Sequence, residues 1–381
     1  MATQLAIDSQ AASGKQPLSV TWNALAVMAG KTLTMGFGFV FWLVAAHEFS
    51  RTQVGIAAAA VSAMMLCTQL AIGGVGSAVI TCYADFRNRP ATLLDTAGTV
   101  VIGSALFAAG VFFVVAAFGL RHLDAIPSNP LYAVAFVAMT VFGTLAILLD
   151  QLSIALGRGD QVLVRGVVFG AATVVGIGLL PMLLHHAGSA AIFAPWAVAG
   201  AVNVGLGIFQ VRRMLPDYRF RPRVERATRR LLLRHGSPNY ALTLAERAPG
   251  LVLPIVVTQV LTPADNSTWY AVWMMAWVVY TLPISAGLTL FAEGSNRPAQ
   301  LAEATRAAVK VALLVGIVSS LLIGSLAHFA LSLLGSAYGA TGAAPLRILL
   351  LAFVPITFVQ AYFAGSRARR RLGEAVTTGW V

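Results

Sequence analysis

The sequence predicts an all-α polytopic membrane protein with about ten transmembrane helices. Three observations predict it. Only 10% of residues are charged and 58% are hydrophobic, whereas a soluble domain carries about 25% charged residues. In water such a surface would present large apolar patches. Apolar runs recur along the chain, each close to the roughly 20 residues that a helix needs to cross a bilayer. Basic residues gather in alternate connections between those runs, as membrane topology demands.

The runs are Trp22–Ala46, Val54–Tyr83, Leu93–Leu120, Leu131–Leu156, Val162–Leu184, Ile192–Val211, Tyr240–Leu261, Trp269–Phe291, Ala307–Leu334 and Ala344–Ala364. Residues 1–20 read as a cytoplasmic N-terminal tail. They are mixed and weakly polar, and the run after them is too long for a signal-peptide core and lacks a clear cleavage site. With the N-terminus inside, 21 of the 26 Lys and Arg residues fall in inside segments or the span ends beside them. The outside loops hold only Arg51 and Arg121. This pattern also puts the tail 366–381 in the cytoplasm, and a miscount by one helix would destroy it in half of the chain.

Residues 212–236 form the longest and most basic connection. They separate six runs (residues 21–211) from four (residues 237–365), as a loop between two helical lobes would. A juxtamembrane segment that only fixes orientation explains the charge equally well, with attraction to anionic lipid secondary. The net charge of +12 therefore belongs to topology. Membrane lipids are expected partners and nucleic acid is not.

Signatures of soluble enzymes are missing: there is no G-x-x-x-x-G-K-[ST], H-E-x-x-H or G-x-S-x-G. No catalytic residue, cofactor or metal is expected. Cys67 and Cys82 read as small hydrophobes, and His185 and His186 lack the company that a metal requires. No soluble stretch is long enough for an ATPase. Transport by this chain would draw on an ion gradient, a substrate gradient or another protein, as in a secondary transporter.

Charges within spans are costly and are the default functional candidates. Lys31 lies in the first run and Glu246 and Arg247 lie in the seventh. Lys31 and Arg247 would suit an anionic substrate; snorkelling, or pairing with Glu246, is their structural alternative. Arg51 opens the second span with Glu48 nearby as a partner. Asp95 and Asp150 lie near span ends, where an interfacial hydrogen bond is the plainer role. Trp269, Trp273 and Trp277 recur on one face of the eighth span, lining a path for sugars or packing against lipid. The amides Asn23, Gln69, Asn203, Gln259 and Gln360 suit helix–helix hydrogen bonds.

Several stretches carry a resemblance: FWLVAAHEF (Phe41–Phe49), LFAEGS (Leu290–Ser295) and LLGSAY (Leu333–Tyr338), the last followed by LRILL (Leu346–Leu350). Together they resemble the bacterial polysaccharide biosynthesis membrane proteins. These are the O-antigen and capsule repeat-unit flippases of the multidrug/oligosaccharidyl-lipid/polysaccharide exporter superfamily. The resemblance implies a two-lobe exporter-like bundle around a polar, often cationic cavity. It implies that the cargo is a lipid-linked oligosaccharide, moved across the cytoplasmic membrane during envelope or exopolysaccharide biosynthesis. A glycan polymerase or another envelope-assembly protein would be a partner. Lys31 and Arg247 would then line the cavity, and Glu293 would serve the fold or a gate. Relatives carry more helices, so a shortened second lobe lacking its last helix pair is expected. A multidrug or small-molecule antiporter on the same scaffold competes with this reading, as does a non-transporting assembly partner. An antiporter needs a buried carboxylate, for which the first lobe offers only Asp95 and Asp150. A glycosyltransferase or ligase would need larger outside loops.

Overall fold

The structure is a computed structural model that describes residues 20–183, 188–296, 301–369 and 372–379. His185, His186, Arg297, Arg370 and Arg371 lie outside the described residues, as do residues 1–19 and the side chain of Glu293. In chain order the helices are α1 (Val20–Glu48), α2 (Arg51–Ile72), α3 (Val75–Cys82), α4 (Pro90–Gly119), α5 (Ala125–Ser128), α6 (Pro130–Ala155), α7 (Gly159–Leu183) and α8 (Ser189–Met214). They continue as α9 (Arg226–Val260), α10 (Pro263–Asn296), α11 (Leu301–Ser325), α12 (Ala327–Ser332), α13 (Ser336–Leu351), α14 (Phe353–Ala368) and α15 (Leu372–Gly379). A 3₁₀ turn at Tyr83–Phe86 follows α3. Among the described residues, ten segments are long and apolar enough to cross a membrane. They coincide with the ten runs read from the sequence, and the chain is an all-α polytopic membrane protein.

Polar residues at the span ends set the helix starts. Ser50 and Gln53 form a reciprocal box ahead of α2: the Gln53 amide donates to Ser50 Oγ (3.3 Å) and the Ser50 amide to Gln53 Oε1 (3.1 Å). This satisfies two backbone donors that a helix start leaves open. Asn129 Oδ1 accepts from the Leu131 and Tyr132 amides ahead of Pro130 in α6. Outward faces are apolar. Val311, Leu314, Val318 and Leu321 form an exposed stripe at helical spacing on α11. That stripe would aggregate in water and is matched by acyl chains.

Three runs that read as single spans are broken. The ninth divides at Leu326 between α11 and α12. The second divides between α2 and α3 at Gly73 and Gly74, whose φ values are 49° and 81°. Glycine alone enters that region without a Cβ penalty. Gly74 also permits contact: a Cβ there would lie 2.5 Å from the Gly236 carbonyl carbon, so the chain ahead of α3 touches α9 backbone to backbone. The last run divides at Ala352 into α13 and α14.

By contact the chain forms two compact units. The first holds Met1–Phe41 and Ala63–Tyr240; the second holds Trp42–Ser62 and Ala241–Val381. The chain thus passes between units inside α1, α2 and α9. In the first unit α8 packs on α7 and α6, and α6 on α4 and α3. Val79, Leu93, Leu94, Leu148, Leu152 and Leu232 share a buried core cluster there. In the second unit α10 packs against α14, α11 and α13, while α14 carries α15.

Candidate functional site

The strongest concentration of buried polar chemistry lies in the first unit, where α6, α7 and α8 meet. Arg165 of α7 is 1% exposed, although arginine is seldom buried without partners. Its Nη2 donates to Asp150 Oδ1 of α6 at 2.7 Å and to Ser153 Oγ at 3.0 Å, and its Nε reaches Asp150 Oδ1 at 3.1 Å. Its Nη1 donates to Gln210 Oε1 of α8. Ser153 in turn donates to Gln161 Oε1 at 3.2 Å. Three helices are therefore tied through one guanidinium. The arrangement follows from the hairpin. Asp150 stands five residues before the end of α6 and Arg165 six residues after the start of α7. At 1.5 Å per residue the two lie at nearly the same depth, about 8 Å from the turn.

Asp150 keeps chemical capacity beyond this pair. Both Arg165 contacts use Oδ1. The Asp150 side chain remains 39% accessible, so the carboxylate can take a proton or a cation. Lys31 of α1 lies within electrostatic reach of Asp150. Small residues bring α1 there: a Cβ at Gly30 would lie 2.9 Å from Leu163 Cα. Asn23 Oδ1 accepts from the Gly159 amide at the start of α7, as expected for an amide between helices.

The second unit holds two further charged groups. Glu246 of α9 pairs with Arg367 of α14 at 3.2 Å, with both side chains largely buried. Gln360 and the exposed Arg247 lie within electrostatic reach of Glu246. Arg51 reaches α10. Its Nη2 donates to Ala264 O (3.2 Å) and Thr268 Oγ1 (2.8 Å) of α10, and its guanidinium lies 5.5 Å from the centre of the Tyr338 ring.

Trp269, Trp273 and Trp277 form a ladder along α10 with successive ring centres 6.1 Å apart. Tyr280 meets Trp273 and Trp277 edge-on. A Cβ at Gly250 of α9 would lie 2.8 Å from Trp273 Nε1, so Trp273 packs against a neighbouring helix and not into lipid alone. Cys67 and Cys82 are buried and free. Among the described residues no group of three or more His, Cys, Asp or Glu is placed to hold a metal ion.

Sequence reading singled out Asp150 and Lys31 but missed Arg165 and Gln210, treating Arg165 as one more charge at a span end. A signal was present. Asp150 and Arg165 are mirror positions about a short turn, and opposite charges at such positions meet across a helical hairpin. Asp95, the other carboxylate weighed for the first lobe, accepts at Oδ1 from the Tyr218 hydroxyl and the Arg221 amide, each at 3.0 Å.

No family model and no curated protein sequence matches the chain. Solved structures do. An inward-facing MATE-family multidrug resistance transporter of the MOP superfamily matches with a TM-score of 0.69 at 12% identity, over 93% of this chain and 87% of the other. An outward-facing MATE-family multidrug resistance transporter matches at 0.60 and 13%, over 93% and 83%. So does a MOP superfamily transporter from Pyrococcus furiosus, described as having a binding pocket of reverse polarity, at 0.60 and 13%, over 93% and 83%. The chain has the fold of these transporters. At such identities the likeness is one of fold and does not separate polysaccharide flippases from other members.

Proposed function

We propose that the chain is a secondary transporter that exchanges small organic solutes for protons or monovalent cations, as a multidrug-type antiporter does. The observation that carries this reading is Asp150: a carboxylate inside a span, held through one oxygen by the buried Arg165 with its side chain still 39% accessible. Ionisable groups in spans are expensive and persist for use. Protonation of Asp150 removes the negative charge facing Arg165, whose own hydrogen bonds to Gln210 and Ser153 remain. The network thereby has two charge states, and a solute that favours one of them is coupled to the proton. The MATE-like fold supports the same reading.

The test is transport by proteoliposomes under an imposed pH gradient, with ethidium as the probe. The native chain should accumulate or expel ethidium faster with the gradient than without it. Asp150→Asn should abolish that acceleration. Unchanged gradient dependence in Asp150→Asn removes the coupling role, and no ethidium movement by the native chain removes the substrate class.

A second reading is favoured by the positive charge that Lys31 and Arg247 add within spans and by the resemblance of Phe41–Phe49 and Leu290–Ser295. Here the cargo is an anionic lipid-linked oligosaccharide, flipped across a bacterial cytoplasmic membrane by a chain whose two ends are cytoplasmic, beside a glycan polymerase. A fluorescent polyprenyl-pyrophosphate oligosaccharide in the same vesicles distinguishes the two readings. Flipping lost in Lys31→Ala and Arg247→Ala supports the second. Movement of neither probe would leave a non-transporting assembly partner.

A further inference from the structure

Nine arginines and no lysine lie between Arg212 and Arg234, against two acids, Asp217 and Glu225. All nine are exposed. A basic run of this kind is usually a solvated, mobile loop, but here it is held. Asp95 fixes Tyr218 and the Arg221 amide. Thr96 Oγ1 accepts from the Glu225 amide at 3.2 Å. Phe220 lies over Gly98 of α4, where a Cβ would come within 2.8 Å of the ring. Burial first, and then the hydrogen bond to Asp95, push the Tyr218 phenol above its ordinary range, so it stays a donor. Past the loop, the first turns of α9 bury Thr228, Leu232 and Gly236 and display Arg229, Arg230 and Arg234. Glu225 is already occupied, accepting from the Thr228 hydroxyl and lying 4.0 Å from Arg89.

We propose that this pinned, arginine-only segment is a binding surface for the phosphate headgroups of anionic phospholipids. Three features select that partner. Guanidinium groups grip phosphate through paired N–H donors, where lysine offers a point charge. The segment joins the sixth span to the seventh, which is headgroup depth, and basic clusters beside spans draw anionic lipid. Apolar side chains are interleaved with the cations: Phe220, Val224 and Leu233 are 47%, 39% and 43% exposed. A free phosphate or a nucleic acid leaves those side chains in water, whereas a bilayer surface buries them beside the headgroups.

Native mass spectrometry and lipid titration of the purified full-length chain in detergent test this. Phosphatidylglycerol is compared with phosphatidylcholine of the same acyl chains, and with soluble glycerophosphoglycerol and inorganic pyrophosphate. Phosphatidylglycerol should bind more tightly than phosphatidylcholine, and salt at about 0.5 M should erase the difference. The triple variant Arg229→Ala, Arg230→Ala, Arg234→Ala should weaken phosphatidylglycerol about a hundredfold, at roughly fivefold per lost charge. The matching triple Lys variant, which keeps charge without the bidentate fork, should fall between. Equal binding of the two lipids, or an unchanged triple Ala variant, overturns the proposal. So does soluble pyrophosphate or glycerophosphoglycerol binding as tightly as phosphatidylglycerol. If the triple Ala variant fails to fold, the salt dependence and the Lys variant still decide.

Discussion

A glycine in a helix is replaced without harm only where a methyl group has room. Gly55 of α2 has none: a Cβ there would fall 1.6 Å from the Pro263 carbonyl oxygen, and the Gly55 oxygen itself accepts from Asn266 Nδ2 at 2.8 Å. Gly36 of α1 has no atom within 4 Å of the same construction. Alanine is the better helix former by about 1 kcal/mol. Gly36→Ala is therefore expected to leave the melting temperature in detergent unchanged or slightly raised. Gly55→Ala must push α2 off α10 at a cost of about 1–3 kcal/mol, lowering it by several degrees. Equal shifts for the two variants would show that the close approach of α2 and α10 is not what stabilises this corner of the second unit. Close approaches of this kind were not legible in the sequence. Glycine is abundant along the chain, and nothing local separates Gly55 from Gly36, because the distinction is made by Pro263, more than two hundred residues away. Asp150 and Arg165 were legible in principle, since their pairing depends on a short hairpin and the helical rise.

At the scale of the element, the ends and breaks of helices are where sequence and structure part. Apolar periodicity runs through Gly73 and Gly74 without interruption, so the second run reads as one span; only the positive φ of both residues shows the break. Pairing between helices is hidden in the same way. Glu246 and Arg367 are separated by most of the second unit in sequence, yet they join α9 to α14 as an ion pair. Glu246 was weighed in the sequence as a cavity residue, and the pair suggests a role in holding the helices. Removing one partner leaves a largely buried charge uncompensated, whereas removing both does not. We expect Glu246→Ala to lower the melting temperature in detergent and Glu246→Ala with Arg367→Leu to recover most of the loss. The coupling between the two should be of order 1 kcal/mol or more. Independent, additive effects would contradict a structural pair. A double variant that is stable but inactive would return Glu246 and Arg367 to the functional site.

The whole molecule was the most legible level. Ten spans could be counted because lipid imposes a length and an apolar surface on each, and the described residues carry ten such segments where the runs were drawn. By contact the chain changes unit inside three helices, the last time at Tyr240 and Ala241, just past its most basic loop. The charge distribution predicts an orientation, and that prediction couples every span to every other. With 21 of the 26 basic residues on one side, Arg121 and Leu261 should face outward and Arg223 inward. All three are exposed. The buried cysteines Cys67 and Cys82 are to be replaced by Ala first, so that each new thiol is the only one. Arg121→Cys, Leu261→Cys and Arg223→Cys are then expressed singly in bacterial cells and treated with a membrane-impermeant maleimide. In intact cells the first two should label and the third should not; after permeabilisation all three should label. The reverse pattern would invert the protein. Arg121 labelled with Leu261 protected would mean that the number of crossings between α4 and α10 is odd where the ten-span count makes it even, because three crossings from Arg121 reach Arg223 and a fourth, along α9, reaches Leu261.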